Sequence, residues 1–234
     1  MFTSQPSSPS RRLLLEPLAE PVADLLAQRL VRVAALVSAV VVVLGGVASA
    51  LLPHRSAAAL LLHLDREHGL AAGWSALLVL AAAVAAWRAR RTGTACTLTA
   101  GLLVLLAADE FLALHETFED STGVDWQVLY APVALLAALL ALVLVRALRT
   151  RHPRVLALLV LAGACWTTSQ VLEAAQWDGD TKRHGYVVLM HAEEVLEMTG
   201  AVVLLGAFTS LRRSTAPAPA PDGRATTGST ALPR

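Results

Sequence analysis

Residues 95–116 read ACTLTAGLLVLLAADEFLALHE, and this stretch decides the fold. At helical rise the run reaches about 33 Å, enough to cross a hydrocarbon core of about 30 Å. Ala100 to Ala108 carries no polar side chain, and the run then closes with Asp109, Glu110, His115 and Glu116. A helix that is apolar all round is buried in a large core or in a membrane, and acids at its end mark a site rather than a solvated face.

Five more runs of similar length lie near Val33 to Leu52, Leu70 to Trp87, Val128 to Leu148, Val155 to Trp177 and Tyr186 to Leu211. Together they predict an all-α polytopic membrane helical bundle of about six transmembrane helices. The 234 residues are 56% hydrophobic, with a mean hydropathy of +0.58. The predicted organisation is a cytoplasmic or interfacial segment over residues 1–30, a six-helix domain over 31–213 and a disordered cytoplasmic tail over 214–234. In that tail the Pro/Ala alternation has too little apolar side chain to build a core. A formal charge of +1 excludes a nucleic-acid partner, so membrane lipids are the expected partners. The sequence is silent on oligomeric state. Cys96 and Cys165 have no CxxC spacing and read as packing residues.

Arginines mark alternate ends of the spans: Arg29 and Arg32, then Arg88, Arg90 and Arg91, then Arg146 to Arg154, then Arg212 and Arg213. The positive-inside rule puts those ends, and both termini, in the cytoplasm. Glu119, Asp120, Asp125 and Asp178 fall at the other ends beside Trp74, Trp126, Trp177, Tyr130 and Tyr186, as an aromatic belt requires; Lys182 and Arg183 are the exception. Arg29 and Arg32, the apolar run and Ala48-Ser49-Ala50 also match a signal peptide with a cleavage site, so removal of the first span stays open.

Seven carboxylates lie in three of the spans with no lysine or arginine among them: Asp109, Glu110, Glu116, Glu173, Glu193, Glu194 and Glu197. Each costs about 2.5 to 3.5 kcal/mol at membrane depth on insertion scales, so such groups are kept because they bind or transfer something. On an unbroken helix Asp109 and Glu116 project almost in register, with His115 on the adjoining flank. His191 neighbours Glu194 three residues on, and Thr167, Gln170, Glu173 and Gln176 make a stripe at three-residue intervals. Asp109 would lie about 10 Å and Glu197 about 15 Å below the acidic helix ends, which predicts a funnel facing the extracytoplasmic side. His63, Asp65, Glu67 and His68 follow a short amphipathic helix near Ser56 to Leu64, read either as a lid or as an interfacial turn.

Carboxylates and imidazoles on facing helices are the ligand set of helical-bundle metal sites. The expected ligands are His115, Glu116, Glu173, His191 and Glu194, with Asp109 or Glu197 as general base for water on a divalent iron, zinc or manganese ion. His-x-x-Glu stands where di-iron bundles have Glu-x-x-His. The rivals are a carrier using the carboxylates as exchangeable proton or cation sites, and a structural or accessory subunit with the acids as interhelical glue. A glycine-rich phosphate loop, G-x-S-x-G and H-E-x-x-H are all absent.

The run Leu64-Asp65-Arg66-Glu67-His68, then Trp74-Ser75, Asp109-Glu110, His115-Glu116, Glu193-Glu194 and Glu197 resembles a pattern in uncharacterised multipass proteins of bacteria, over roughly residues 30 to 210. The resemblance implies an inner-membrane location and no particular activity. Intramembrane zinc hydrolases of the alkaline-ceramidase and progestin-receptor type are similar in outline, but their paired histidines at i+4 do not occur here. The residues thus point to a membrane-embedded metal enzyme acting on a lipid or other membrane-soluble substrate, with the proton- or cation-coupled carrier as the alternative.

Overall fold

A computed structural model describes residues 28–53, 56–64, 66, 68–178 and 181–215. The N-terminal segment before Gln28, the tail beyond Thr215, and Asp65 and Glu67 of the first loop lie outside the described residues. Nine α-helices occur among those described: α1 Arg29–Leu51, α2 Ala57–Leu62, α3 Leu70–Arg88, α4 Thr94–Leu112, α5 Leu114–Thr122, α6 Trp126–Leu129, α7 Ala131–Leu148, α8 Pro153–Gln176 and α9 Tyr186–Ser214. Six of them, α1, α3, α4, α7, α8 and α9, are long and apolar enough to cross a membrane. The chain is an all-α polytopic bundle, as its hydropathy predicts. The only strands described, Trp177–Asp178 and Thr181–Lys182, form a small antiparallel ribbon between α8 and α9.

Local chemistry sets the helix ends. Pro132 and Pro153 sit in the first turns of α7 and α8, where a missing N–H is harmless. Gly123, with φ 65°, supplies the left-handed residue that stops α5.

The last span is the axis of the bundle: α9 packs against α8, α3 and α1, and 61% of its most apolar window is buried, against 17% for α7 at the edge. From α9 the contacts run to α3, on to α4, then α7, α8 and back to α9, closing a ring, with α1 outside it against α9 and α3. Lipid tails are as apolar as leucine, so close packing rather than water exclusion holds such helices together. α3 buries Ala71, Ala76, Ala82, Ala83 and Ala86, which lets its backbone approach its neighbours. Gly200 of α9 receives the Trp166 indole of α8; a Cβ there would lie 2.9 Å from Trp166 Cδ1. The outward faces carry Leu36, Val43, Leu135 and Leu139, all exposed, as a lipid-facing surface requires.

After α1 the chain turns back along it. α2 packs on α1 and α3, and Leu64 is buried at the point where Gly45 leaves room; a Cβ on Gly45 would stand 2.4 Å from Leu64 Cδ2. His63 Nδ1 lies 3.4 Å from Ser49 Oγ. The short helix expected after Ser56 is therefore present, and its loop is a strap on the α1–α3 side.

Candidate acid–base site

Asp109 organises one end of the bundle. The helix read from sequence as continuous to Glu116 stops at Leu112, because Ala113 adopts φ 48° and ψ 49°. A left-handed alanine costs about 1–2 kcal/mol, and the Asp109 carboxylate supplies the compensation. Its Oδ1 accepts the His115 backbone N–H at 3.0 Å and the Tyr130 hydroxyl at 2.5 Å, and its Oδ2 lies 3.2 Å from His115 Nδ1. Asp109 thus caps α5, and the turn swings His115 back onto the carboxylate six residues earlier. The heptad register expected between Asp109 and Glu116 is lost at this break: Asp109 is 9% exposed, whereas Glu116 faces outward.

Around this pair stands an aromatic box. The His115 ring lies 5.3 Å from Trp126 and 6.4 Å from Tyr130, and Trp126 and Tyr130 meet edge to face at 6.0 Å. Trp126 opens the short helix α6, whose first turn is capped by Asp125 through Gln127 N at 2.8 Å. Burial, and then the Asp109 carboxylate that takes its proton in a hydrogen bond, push the Tyr130 phenol well above the ordinary tyrosine range.

Glu173 reaches this group from α8. It is half-buried, Trp126 donates a hydrogen bond to it, and the charges of Glu197, His115 and Asp125 act on it. Glu197 in turn accepts from Ser169 Oγ at 3.2 Å and Gln170 Nε2 at 3.4 Å across the α8–α9 interface, while Trp166 Nε1 donates to its backbone carbonyl at 3.2 Å. One helical turn up, the buried Gln176 donates to Glu193. The stripe Gln170, Glu173 and Gln176 is therefore real, and it serves α9 and the aromatic box.

Of the residues singled out from sequence, Asp109 and His115 touch, with Glu173 beside them and Glu197 next to Glu173. His191 stands elsewhere: its Nδ1 donates to Val187 O at 2.7 Å, and the ring lines a groove with Gly46 and Ser49 of α1. Glu194, half-buried, follows it by three residues on the same helix. Among the described residues no group of three His, Cys, Asp or Glu side chains gathers as metal ligands would. Tyr130 and Trp126 were read only as belt aromatics; their approach to Asp109 depends on the α5–α6 turn, which leaves no local signal.

The site ends as a hydrogen-bonded carboxylate–imidazole pair, backed by a phenol and facing a second carboxylate. Asp109 Oδ2 accepts from Nδ1 of His115, which fixes the orientation of the ring and its Nδ1–H tautomer. No curated protein and no solved structure matches the chain. A family model described as a domain of unknown function (DUF8692) matches residues 30–211, which reaches into all six spans, and the chain belongs to that family.

Proposed function

We propose that this integral membrane protein is an inner-membrane enzyme whose acid–base site, His115 oriented by Asp109 with Glu173 alongside, acts on a lipid or other membrane-soluble substrate from the extracytoplasmic side. The observation that carries this reading is the triple hydrogen bonding of Asp109. A carboxylate that fixes one imidazole nitrogen makes the other the stronger base and holds it in one orientation. Glu173 is the partner carboxylate for the proton, with Glu197 as its relay along α9.

The side follows from charge. Arginines of α1, α3, α7, α8 and α9 share the end opposite Asp109, and the positive-inside rule places that end in the cytoplasm. One-sided access is supported by α4, where Leu102 to Ala108 has no polar side chain below Asp109. A carrier would need a polar route through that depth. His115 and Glu173 would be the first donors for any divalent iron, zinc or manganese ion bound here. Glu116 and His191 do not converge on them, so we assign the site no metal-dependent step.

The test is reconstitution of the purified chain in liposomes made from a bacterial polar lipid extract, followed by mass spectrometry of the lipids. Conversion of one lipid class by the wild type, slowed at least ~100-fold in His115→Gln, is the expected result. Equal conversion by both proteins would remove His115 from the chemistry. Elemental analysis of the same preparations decides whether a metal accompanies it.

A further inference from the structure

We propose that the cavity at the arginine end, between the α7–α8 turn and the end of α9, binds the phosphate of an anionic phospholipid. The cavity, about 340 Å³, is lined by Arg151, His152 and Arg154 on one side and by Ser210 and Ser214 of α9 on the other. Its floor is Val155 and Leu158, buried at 5% and 2% exposure. A guanidinium rim over an apolar floor, at the level where a span leaves the membrane, matches a phosphodiester with an acyl chain below it.

Three details favour an anion. α8 begins here with Pro153 at its first position, and its N-cap residue His152 makes no side-chain cap, so the positive end of a 24-residue helix opens on the cavity. His152 is turned to α9 instead. Ser214 gives its proton to Leu211 O at 2.8 Å, so its oxygen accepts from His152 Nδ1 at 3.3 Å. Ser210 accepts from Gln28 Nε2 at 2.7 Å, and its own proton has no acceptor among the described residues. A phosphate oxygen would supply one.

The surrounding charge of the described residues is also basic. Among the described residues every Asp and Glu lies at the other end of the bundle, while Arg146, Arg149, Arg212 and Arg213 surround this cavity's turn and helix end. A protein-bound basic pocket of this kind selects anionic over zwitterionic headgroups.

The experiment is native mass spectrometry of the full chain in detergent with phosphatidylglycerol or phosphatidylcholine. Phosphatidylglycerol is expected to be retained as one equivalent and phosphatidylcholine not. Arg151→Gln/Arg154→Gln should weaken retention about thirtyfold. The charge-neutral Ser210→Ala should weaken it about fivefold, which keeps the test decisive if the double variant folds poorly. The control Arg90→Gln/Arg91→Gln, at another arginine cluster, should leave it unchanged. Equal loss in that control would show diffuse charge rather than this cavity and overturn the assignment. Complete displacement by millimolar inorganic phosphate would identify a soluble phosphate as the ligand and overturn the lipid.

Discussion

Removing the Tyr130 hydroxyl isolates one bond of the Asp109 cap. Phenylalanine keeps the ring that packs against Trp126 at 6.0 Å and His115 at 6.4 Å, so only the donor to Asp109 Oδ1 is lost. A hydrogen bond to a charged acceptor contributes about 1.5–3 kcal/mol in proteins, and the largest interhelical side-chain couplings in membranes are about 1.7. At 2.5 Å to a carboxylate only 9% exposed, this bond belongs near the upper membrane figure, so Tyr130→Phe should cost about 1.5 kcal/mol. For a chain of this size that lowers the melting temperature by about 3–6 °C. Thermal unfolding in detergent, run on Tyr130→Phe, Asp109→Asn and the double variant, separates this bond from ring packing. Asparagine presents an amide N–H₂ where one carboxylate oxygen stood, so the double-variant cycle should show coupling of about 1 kcal/mol. A Tyr130→Phe melting temperature within about 1 °C of wild type, with no coupling, would refute the capping argument.

Absorbance at 295 nm should show Tyr130 ionising well above the ordinary value of 10.0, and that late phase should vanish in Tyr130→Phe; a wild type with no late phase would count against the Asp109 bond. Because the folded chain holds that proton more tightly than the unfolded one, the contribution to stability is complete below pH about 10 and is lost as pH rises toward the folded value. Gly200→Ala should destabilise by about 1–3 kcal/mol, since its Cβ would press on Trp166, which already donates to Glu197 O. Gly101→Ala, with nothing within 4 Å, should instead gain up to about 1 kcal/mol, and thermal melts showing the same sign for both would undo the packing reading. A cysteine replacing Asp120 should react with an impermeant thiol reagent on intact cells; labelling only after lysis would invert the orientation.

Spans are legible in this sequence because each is a long apolar run, a property of the run alone. Their bounds shifted by a few residues, except in the third, where Ala113 sits in an unremarkable Leu-Ala-Leu context. Nothing local stops the helix there; the stop is made by Asp109 folding onto His115 and Tyr130, a contact that exists only in three dimensions. The rotation of each helix was similarly hidden. Periodicity placed Gln170, Glu173 and Gln176 on one face, and packing against α9 and Trp126 decided what that face met. His191 lies on α9, as expected, but turns toward Gly46 of α1, because the groove left by two small residues accepts its ring.

The central place of α9 sets an order for assembly in the membrane. It is the last of the six spans to leave the ribosome, yet α8, α3 and α1 all dock on it. Until it enters the bilayer, Ser169 and Gln176 of α8 have not met Glu197 and Glu193, and α1 lacks its main neighbour. Before that point the α3–α4 pair can already pack, while Ser169 and Gln176 still lack their partners on α9. Insertion of α9 supplies these contacts together, so the bundle closes only when its final span is in place.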